Sequence, residues 1–476
     1  MEKHLKQRNS FTGSLGFVLA AAGSAVGLGN IWRFPYLAAK GGGGLFLLVY
    51  IILALTFGFT LLISEIAIGR KTQESSLTAY KKLSPKWGFI GIISFIVPFI
   101  IYPYYCVIGG WVMKYMFSYL AFQGQVTAAD GFFGGFITSQ WQPIFYTVLF
   151  ATFSFFIVYK GVEHGIEKYS KMLMPILLLI VIFIAVYSLF IKHAYTNAEG
   201  VVVTRTGLQG AAVYFIPNFE GLTVQKFLNI VMDAMGQLFY SLSIAMGIMV
   251  TYGSYMKKSE NLIKSVNHIE IFDTGFAILA GMMIIPAVFA FSGTEGMSAG
   301  PGLMFITLPK IFKSLGGFGD FIGLIFFVMV LFAALTSSVS ILEAITAGMM
   351  DHFKWSRKKA TLIMAGSTFF ISVIVCLGYN VFYFEYKLPN NSDFPRVTAQ
   401  ILDILDYISN AVLMPIVGIL TCVLIGWVVK PKTAIDEITL TGEKFGRKSL
   451  YIVMVKYISP LCLLIILLAG LGFKFF

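Results

Sequence analysis

At 476 residues, 57% hydrophobic and only 12% charged, with a mean hydropathy of +0.81, the chain carries more apolar surface than one soluble core can hide. A soluble globule is excluded, and the chain reads as a polytopic membrane protein. The net charge of +12 fits that reading, because 24 of the 35 lysines and arginines fall in alternate loops and tails. That is the signature of topology and of contact with anionic lipid, not of nucleic-acid binding.

Runs of about 20 apolar residues predict eleven spans. They lie near residues 11–38, 44–70, 87–122, 143–160, 167–190, 232–256, 267–292, 319–352, 358–379, 400–429 and 450–475. The basic loops place the N-terminal segment, residues 1–10, in the cytoplasm and, with an odd span count, the C-terminus outside, in a plasma (inner) membrane. Met1 to Arg8 is too polar, and the first apolar run too long, for a removed signal peptide.

Span 1 is broken by its own sequence, Phe17-Val-Leu-Ala-Ala-Ala-Gly23-Ser-Ala-Val-Gly27-Leu-Gly29-Asn30-Ile-Trp-Arg33-Phe-Pro35. Each glycine weakens a helix by roughly 0.5 to 1 kcal/mol. Asn30, Arg33 and Pro35 then follow where lipid tolerates none of them. Gly23-x-x-x-Gly27 alone reads equally well as a helix-packing motif, but packing needs neither a third glycine nor an amide. Unwound backbone at membrane depth survives only against protein or a water-filled cavity, where its free amides and carbonyls are ready ligands.

Span 2 follows a Gly41 to Gly44 run and carries Glu65, which is expected to accept amides from unwound backbone. Span 6 has a second interruption, with Gly236, Gln237, Tyr240, Ser241, Ser243, Ala245, Met246 and Gly247 in mid-span. Two Gly-interrupted spans five apart predict inverted repeats, residues 11–190 and 232–429, joined by an outside connection over 191–231 and followed by 430–476 with span 11. The outside segments 191–231 and 293–318 hold Pro-bounded stretches and read as structured lids.

Cys106, Cys376, Cys422 and Cys462 all fall inside spans, so no disulfide framework is expected. His4, His164, His193, His268 and His352 show no metal-ligand spacing, and no nucleophile is paired with a base inside the spans. An enzyme is therefore not expected, and polar groups clustered at mid-depth rather than ringing a pore argue against a channel. Asn390-Asn391-Ser392 matches a glycosylation sequon too short to weigh.

Taken together, Gly23-x-Ala25-Val26-Gly27-Leu28-Gly29-Asn30-x-x-Arg33-Phe34-Pro35, the Gly41 to Gly44 run, Tyr104-Tyr105, Gln237 to Gly247 and Leu335-Thr336-Ser337-Ser338 resemble the neurotransmitter:sodium symporter family over nearly the whole chain. The resemblance implies an all-α fold with inverted five-helix repeats, unwound first and sixth spans, and sodium-coupled import of a neutral amino acid. A proton-coupled amino-acid transporter of the same fold is the alternative, with Asp273 and Glu65 as carriers.

The residue roles below come from that resemblance. One sodium site would use the carbonyls of Gly23, Val26 and Ala333 with the hydroxyls of Thr336 and Ser337. A second would use the Ala25 carbonyl, Asn30, Ser241, Asp273 and the substrate's own carboxylate, so one or two sodium ions are expected. The family often has asparagine at the position of Asp273, with Ala277 one turn later in this chain. Chloride-dependent relatives balance sodium with an anion near the positions of Tyr50, Gln237 and Ser241; a fixed carboxylate makes chloride unnecessary, and could accept a proton when the sites are empty. The substrate carboxylate would meet the amides of Leu28 and Gly29 and the Tyr105 hydroxyl, and its ammonium the carbonyls of Ala25, Tyr240 and Ser241 with the Ser243 hydroxyl. Ile101, Tyr105, Tyr240, Met246, Ser338 and Ile341 would line the side-chain pocket, and Ala245 and Tyr240, which replace a frequent glycine and phenylalanine, tilt it toward small or medium side chains. Arg33 with Asp406 would form an outer gate, and Arg8 with Asp351 and Phe11 an inner latch, where Phe11 replaces a commoner tryptophan.

Overall fold

The computed structural model describes residues 10–196, 201–293, 296–297, 300–389 and 399–473. Arg8 and the sequon at Asn390 lie outside these residues. The helices, labelled in chain order, are α1 (Ser14–Ala25), α2 (Leu28–Lys40), α3 (Gly44–Thr72), α4 (Ser76–Leu83), α5 (Pro85–Leu120), α6 (Gln142–Tyr159) and α7 (Val162–Leu189). After a hairpin of β1 (Lys192–Thr196) and β2 (Val202–Thr206) come α8 (Gly207–Phe215), α9 (Val224–Ser241), α10 (Ile248–Gly253) and α11 (Leu262–Ser292). The chain closes with α12 (Leu308–Ser314), α13 (Gly317–Phe353), α14 (Arg357–Leu377), α15 (Ile401–Val428), α16 (Lys430–Ile438) and α17 (Lys448–Gly470).

Among the described residues nine of these helices are long and apolar enough to cross a bilayer unbroken, and α1 with α2 makes a tenth span bent by 56°. The remaining predicted span is α9 with α10, separated by residues 242–247. Large side chains stand on the flanks, with Leu179 and Phe370 each 68% exposed and Leu362 63%. Bilayer hydrocarbon is the medium that makes such exposure favourable.

Two boundaries differ from the expectation. α9 begins at Val224, so the connection predicted to run to residue 231 ends more than two helical turns earlier, because Thr223 caps the helix by accepting from the Lys226 N–H. The connection also contains the antiparallel hairpin, which pairs Lys192 with Thr206 and Thr196 with Val202, so the fold is not purely helical. At the other long connection the Pro-bounded stretch does fold, as a π-helical turn at Leu303–Thr307 leading into α12. Lys310 of α12 reaches Asp130 at 2.6 Å, and that ammonium holds the exposed carboxyl below its ordinary range.

Close helix crossings are made by glycine. A Cβ on Gly69 of α3 would lie 1.8 Å from the Val250 carbonyl of α10, and one on Gly253 of α10 would lie 2.4 Å from the Ile66 carbonyl of α3. These two backbones touch directly. The Gly41 to Gly44 run has a different use: Gly43 and Gly44 seat the C-terminal carbonyls of α8, with Val213 O 2.0 Å from a Cβ built on Gly43 and Phe215 O 2.2 Å from one on Gly44.

Buried ion pairs tie helices to one another. Arg357 grips Glu343 with two contacts of 2.6 and 2.9 Å, and the Tyr255 hydroxyl donates to the same carboxylate at 2.5 Å. Arg70, fully buried, donates to Glu437 Oε1 at 2.9 Å and also to the Glu437 carbonyl, fixing α16 beneath α3. Removing one partner of a buried pair strands the other charge. Glu437→Ala is therefore expected to cost about 3–5 kcal/mol of stability, read as a lower Tm of the purified protein, with Glu437→Gln retaining part of the loss. An unchanged Tm would show that Arg70 needs no counter-charge.

Candidate functional site

α1 ends at Ala25, and Val26 and Gly27 are extended, with φ/ψ of −74/94 and −130/−168, before α2 starts at Leu28. The break is narrower than its sequence suggests. Gly29, Asn30, Arg33 and Pro35 are all helical in α2, and only two residues are unwound. A helix end leaves its last carbonyls and first amides without intrahelical partners, so the break exposes oxygens from α1 and the N–H groups of Leu28 and Gly29 from α2. The second break also lies later than expected. Gly236 and Gln237 are helical, α9 runs to Ser241, and the distortion falls on 242–247.

That second segment is strained at residues other than glycine, since Ser243 and Ala245 have φ of +52° and +63° alongside Gly247 at +69°. Left-handed non-glycine residues cost of order 1–3 kcal/mol and persist only when neighbours hold them. Here Glu65 Oε1 accepts the Ala245 N–H at 2.7 Å, and the Ser243 hydroxyl donates to the Ser24 carbonyl at 3.0 Å. Ser24 Oγ donates to Ser243 Oγ at 3.1 Å. The two breaks are thus tied to each other and to α3.

Two groups of oxygens converge on the breaks. In the first, the Ser337 hydroxyl of α13 lies 3.3 Å from Gly23 O, 3.1 Å from Ser24 O and 3.4 Å from Val26 O. Thr336 Oγ1 lies 3.1 Å from Ala333 O and 3.0 Å from Phe332 O. One hydroxyl proton cannot satisfy three carbonyls, and the surplus of lone pairs suits a dehydrated hard cation. The spacing is close: a Cβ on Gly23 would come within 3.2 Å of Thr336.

In the second group, Ser241 Oγ stands 2.7 Å from Asn30 Oδ1 and 2.5 Å from Asp273 Oδ1, while Asn30 Nδ2 donates to that same Asp273 oxygen at 2.9 Å. Again a single serine proton faces two acceptors. Asp273 is fully buried, its Oδ2 has no hydrogen-bond partner, and the likewise unpartnered Tyr50 hydroxyl lies beside it. Gln237 Nε2 donates to the Gly29 carbonyl at 3.4 Å. A buried carboxylate with an idle oxygen calls for a positive charge. Among the described residues no cluster of three or more histidine, cysteine or acidic side chains offers a transition-metal site.

Between the two groups, the buried Tyr105 hydroxyl has no hydrogen-bond partner and lies beside the Leu28 N–H and the Ser337 hydroxyl. A Cβ on Gly27 would sit 3.1 Å from Ser337 Oγ and 3.6 Å from the Tyr105 hydroxyl. Ile101, Met246 and Ile341 are buried. Ser338 is different, because its hydroxyl is bonded to Ser154 Oγ of α6 at 2.8 Å. Above this region the Arg33 guanidinium lies 4.9 Å over the Tyr240 ring and within electrostatic reach of Asp406, which accepts from Asn410 Nδ2 at 2.5 Å. At the basic end Asp351 accepts the Ser75 N–H at 2.6 Å, and Phe11 packs edge-on against Phe17, Tyr252 and Tyr255. Arg8, the predicted partner of Asp351, lies outside the described residues.

Sequence reading did not reach Ser24, Ser154 or Asn410. Ser24 sits between two of the break glycines and was open to notice; a lone serine in apolar α6 and an asparagine in α15 give no pattern.

A bundle of membrane-length helices with two broken spans, whose ends and facing hydroxyls gather two clusters of oxygens, is the architecture of a secondary transporter. Comparison with known proteins narrows the class. A model of the sodium:neurotransmitter symporter family matches residues 8–129 and 137–473, and the chain belongs to that family. It is 32% identical over 474 residues to an uncharacterized sodium-dependent transporter, YhdH, of Bacillus subtilis, covering 96% of each chain. It is 26% identical to the sodium- and chloride-dependent GABA transporter 2 of the rat, over 80% of this chain and 69% of that protein. The crystal structure of MhsT in complex with L-phenylalanine superposes with a TM-score of 0.80 at 35% identity, over 98% of this chain and all of that one. The protein is thus a sodium-dependent symporter with the MhsT-like fold, and not an enzyme.

Proposed function

We propose that the chain imports a neutral amino acid together with sodium and without chloride, by alternating access around the two breaks. The observation that carries this is Asp273: a fully buried carboxylate with one oxygen held by Asn30 and Ser241 and the other idle. A sodium ion placed against it, with the substrate carboxylate nearby, is balanced without a mobile anion. In this reading Ala25, Asn30, Ser241 and Asp273 hold the substrate-linked ion, and Gly23, Val26, Ala333, Thr336 and Ser337 hold a second. Both clusters have the oxygen surplus this requires.

The organic substrate lies between them. Its carboxylate meets the amides of Leu28 and Gly29 at the positive end of α2 and the free Tyr105 hydroxyl, and its ammonium meets the carbonyl ends of α1 and α9. Opposite charges on one small molecule fit opposed helix ends, which is the argument for an amino acid. The bound L-phenylalanine in MhsT supports that class. Ile101, Tyr105, Tyr240, Met246, Ser338 and Ile341 surround the side chain, and none of them is charged. Arg33 and Asp406 close one side, and Asp351 stands at the other, the basic end facing the cytoplasm.

Proteoliposome uptake tests this reading. Replacing external sodium by choline is expected to abolish uptake, whereas replacing chloride by gluconate leaves it unchanged. Uptake that survives in choline and follows a proton gradient would favour proton coupling, and uptake that scales with chloride would remove the counter-charge role of Asp273.

A further inference from the structure

Ser338 and Ser154 each have an easier bond that they do not make. A serine in a membrane helix ordinarily bonds the carbonyl four residues back. Ser340 does so to Thr336 O at 3.0 Å, and Ser64 to Thr60 O at 2.7 Å. Among the described residues neither Ser338 nor Ser154 shows such a back-bond. Their hydroxyls instead meet each other at 2.8 Å across α13 and α6, both side chains being fully buried. The Tyr102 phenol and the Cys106 thiol sit beside the pair. α6 turns Phe145, Phe153 and Phe156 outward, and Ser154 lies on its buried face with Thr147, Phe150 and Val158.

The geometry points to Ser154 as a positioning residue for substrate selectivity: by holding the Ser338 hydroxyl against α6, it keeps the substrate pocket apolar and tunes the protein to amino acids with hydrocarbon side chains. This rests on the pocket assigned above, in which Ser338 and Ile341 stand one turn apart on α13. Ser337, the neighbouring residue, turns its hydroxyl toward the first oxygen cluster, so adjacent hydroxyls serve opposite sides of α13. With its hydroxyl held by Ser154, Ser338 offers a substrate only carbon, next to Ile101 and Ile341. Without Ser154 the Ser338 hydroxyl keeps only the Tyr102 phenol and the Cys106 thiol beside it, and rotation about χ1 offers it other staggered positions, including one toward the substrate.

Valine and threonine, equal in shape and differing by one hydroxyl, read this directly. Full-chain protein purified in sodium is titrated with each, and apparent affinity is taken from the ligand-induced rise in Tm. The wild type is expected to prefer valine by about tenfold or more, within what an apolar pocket achieves against an added hydroxyl. In Ser154→Ala the valine-to-threonine ratio should fall about fivefold, the weight of about one neutral hydrogen bond. Ser154→Val, which fills the space but cannot bond, should do the same. The double variant S154A/S338A should return to the wild-type ratio, because no hydroxyl remains to turn; a purely structural role for Ser154 would lower the Tm without moving the ratio. Equal ratios in wild type and both Ser154 variants, or a wild type with no preference for valine, overturn the inference. A wild type that no amino acid stabilises in sodium brings down the transport reading itself, which separates the two failures.

Discussion

On the proposed chloride-free mechanism, Asp273→Asn is expected to make transport need chloride. The substitution keeps the shape of the side chain and its contacts with Asn30 and Ser241, but removes the one full negative charge among the second group of oxygens. A sodium ion there would then share buried space with neutral dipoles and the substrate carboxylate alone. Stranding a charge in this way costs about 3–5 kcal/mol, so sodium affinity in a chloride-free medium should fall by at least about 100-fold. The unpartnered Tyr50 hydroxyl and Ser241 remain as donors around the vacated charge, and they suit a chloride ion. Uptake by D273N proteoliposomes should therefore be lost in sodium gluconate and recovered in sodium chloride, while the wild type works in both. Wild-type behaviour of D273N in gluconate would show that Asp273 carries no counter-charge.

Gly69→Val should prevent assembly altogether. The position has no room for even a methyl, since a Cβ would meet Val250 O at 1.8 Å and Ser254 N at 2.8 Å, both backbone atoms that cannot rotate away. α3 and α10 would have to separate, and shifting the six fully buried residues of α10 would also disturb its other contacts, among them the Tyr252 hydroxyl donating to Ser340 of α13 at 2.8 Å. A loss of more than about 3 kcal/mol follows, visible as aggregated protein in size-exclusion chromatography. Gly366→Val on α14, where nothing lies within 4 Å, is the matched control and should remain monodisperse. Normal behaviour of G69V would mean that the α3–α10 contact is not obligatory for the fold.

The contrast between these two glycines shows what a single sequence discloses. The membrane-length helices were legible because bilayer thickness imposes a length and a hydropathy that neighbours cannot disguise. The first break was legible because Gly23, Gly27 and Gly29 precede Asn30, Arg33 and Pro35, a combination that no lipid-facing helix tolerates. The second was located only roughly. Its strain rests on Ser243 and Ala245, held left-handed by Glu65 from α3, and such tertiary support leaves no local mark. Val201-Val202-Val203-Thr204 is a strand signal inside a connection read only as a structured lid, so the hairpin was not anticipated. The π-helical turns at Ala54–Gly58, Tyr407–Leu413 and Leu424–Val428 answer to packing and have no signature. Side-chain direction on a helix buried all round was equally hidden: nothing in Leu335-Thr336-Ser337-Ser338 says that consecutive serines look toward opposite neighbours.

The crossed hydroxyl and carbonyl contacts between Ser24 and Ser243 have a mechanical corollary. In the proposed alternating-access cycle, two hinges pinned to one another swing together, so the halves of both discontinuous spans pivot in lock-step, as cogs sharing a tooth. Loading either proposed ion site is then expected to stiffen the opposite hinge as well, and a reporter attached near one of them should register events at the other without touching the cargo.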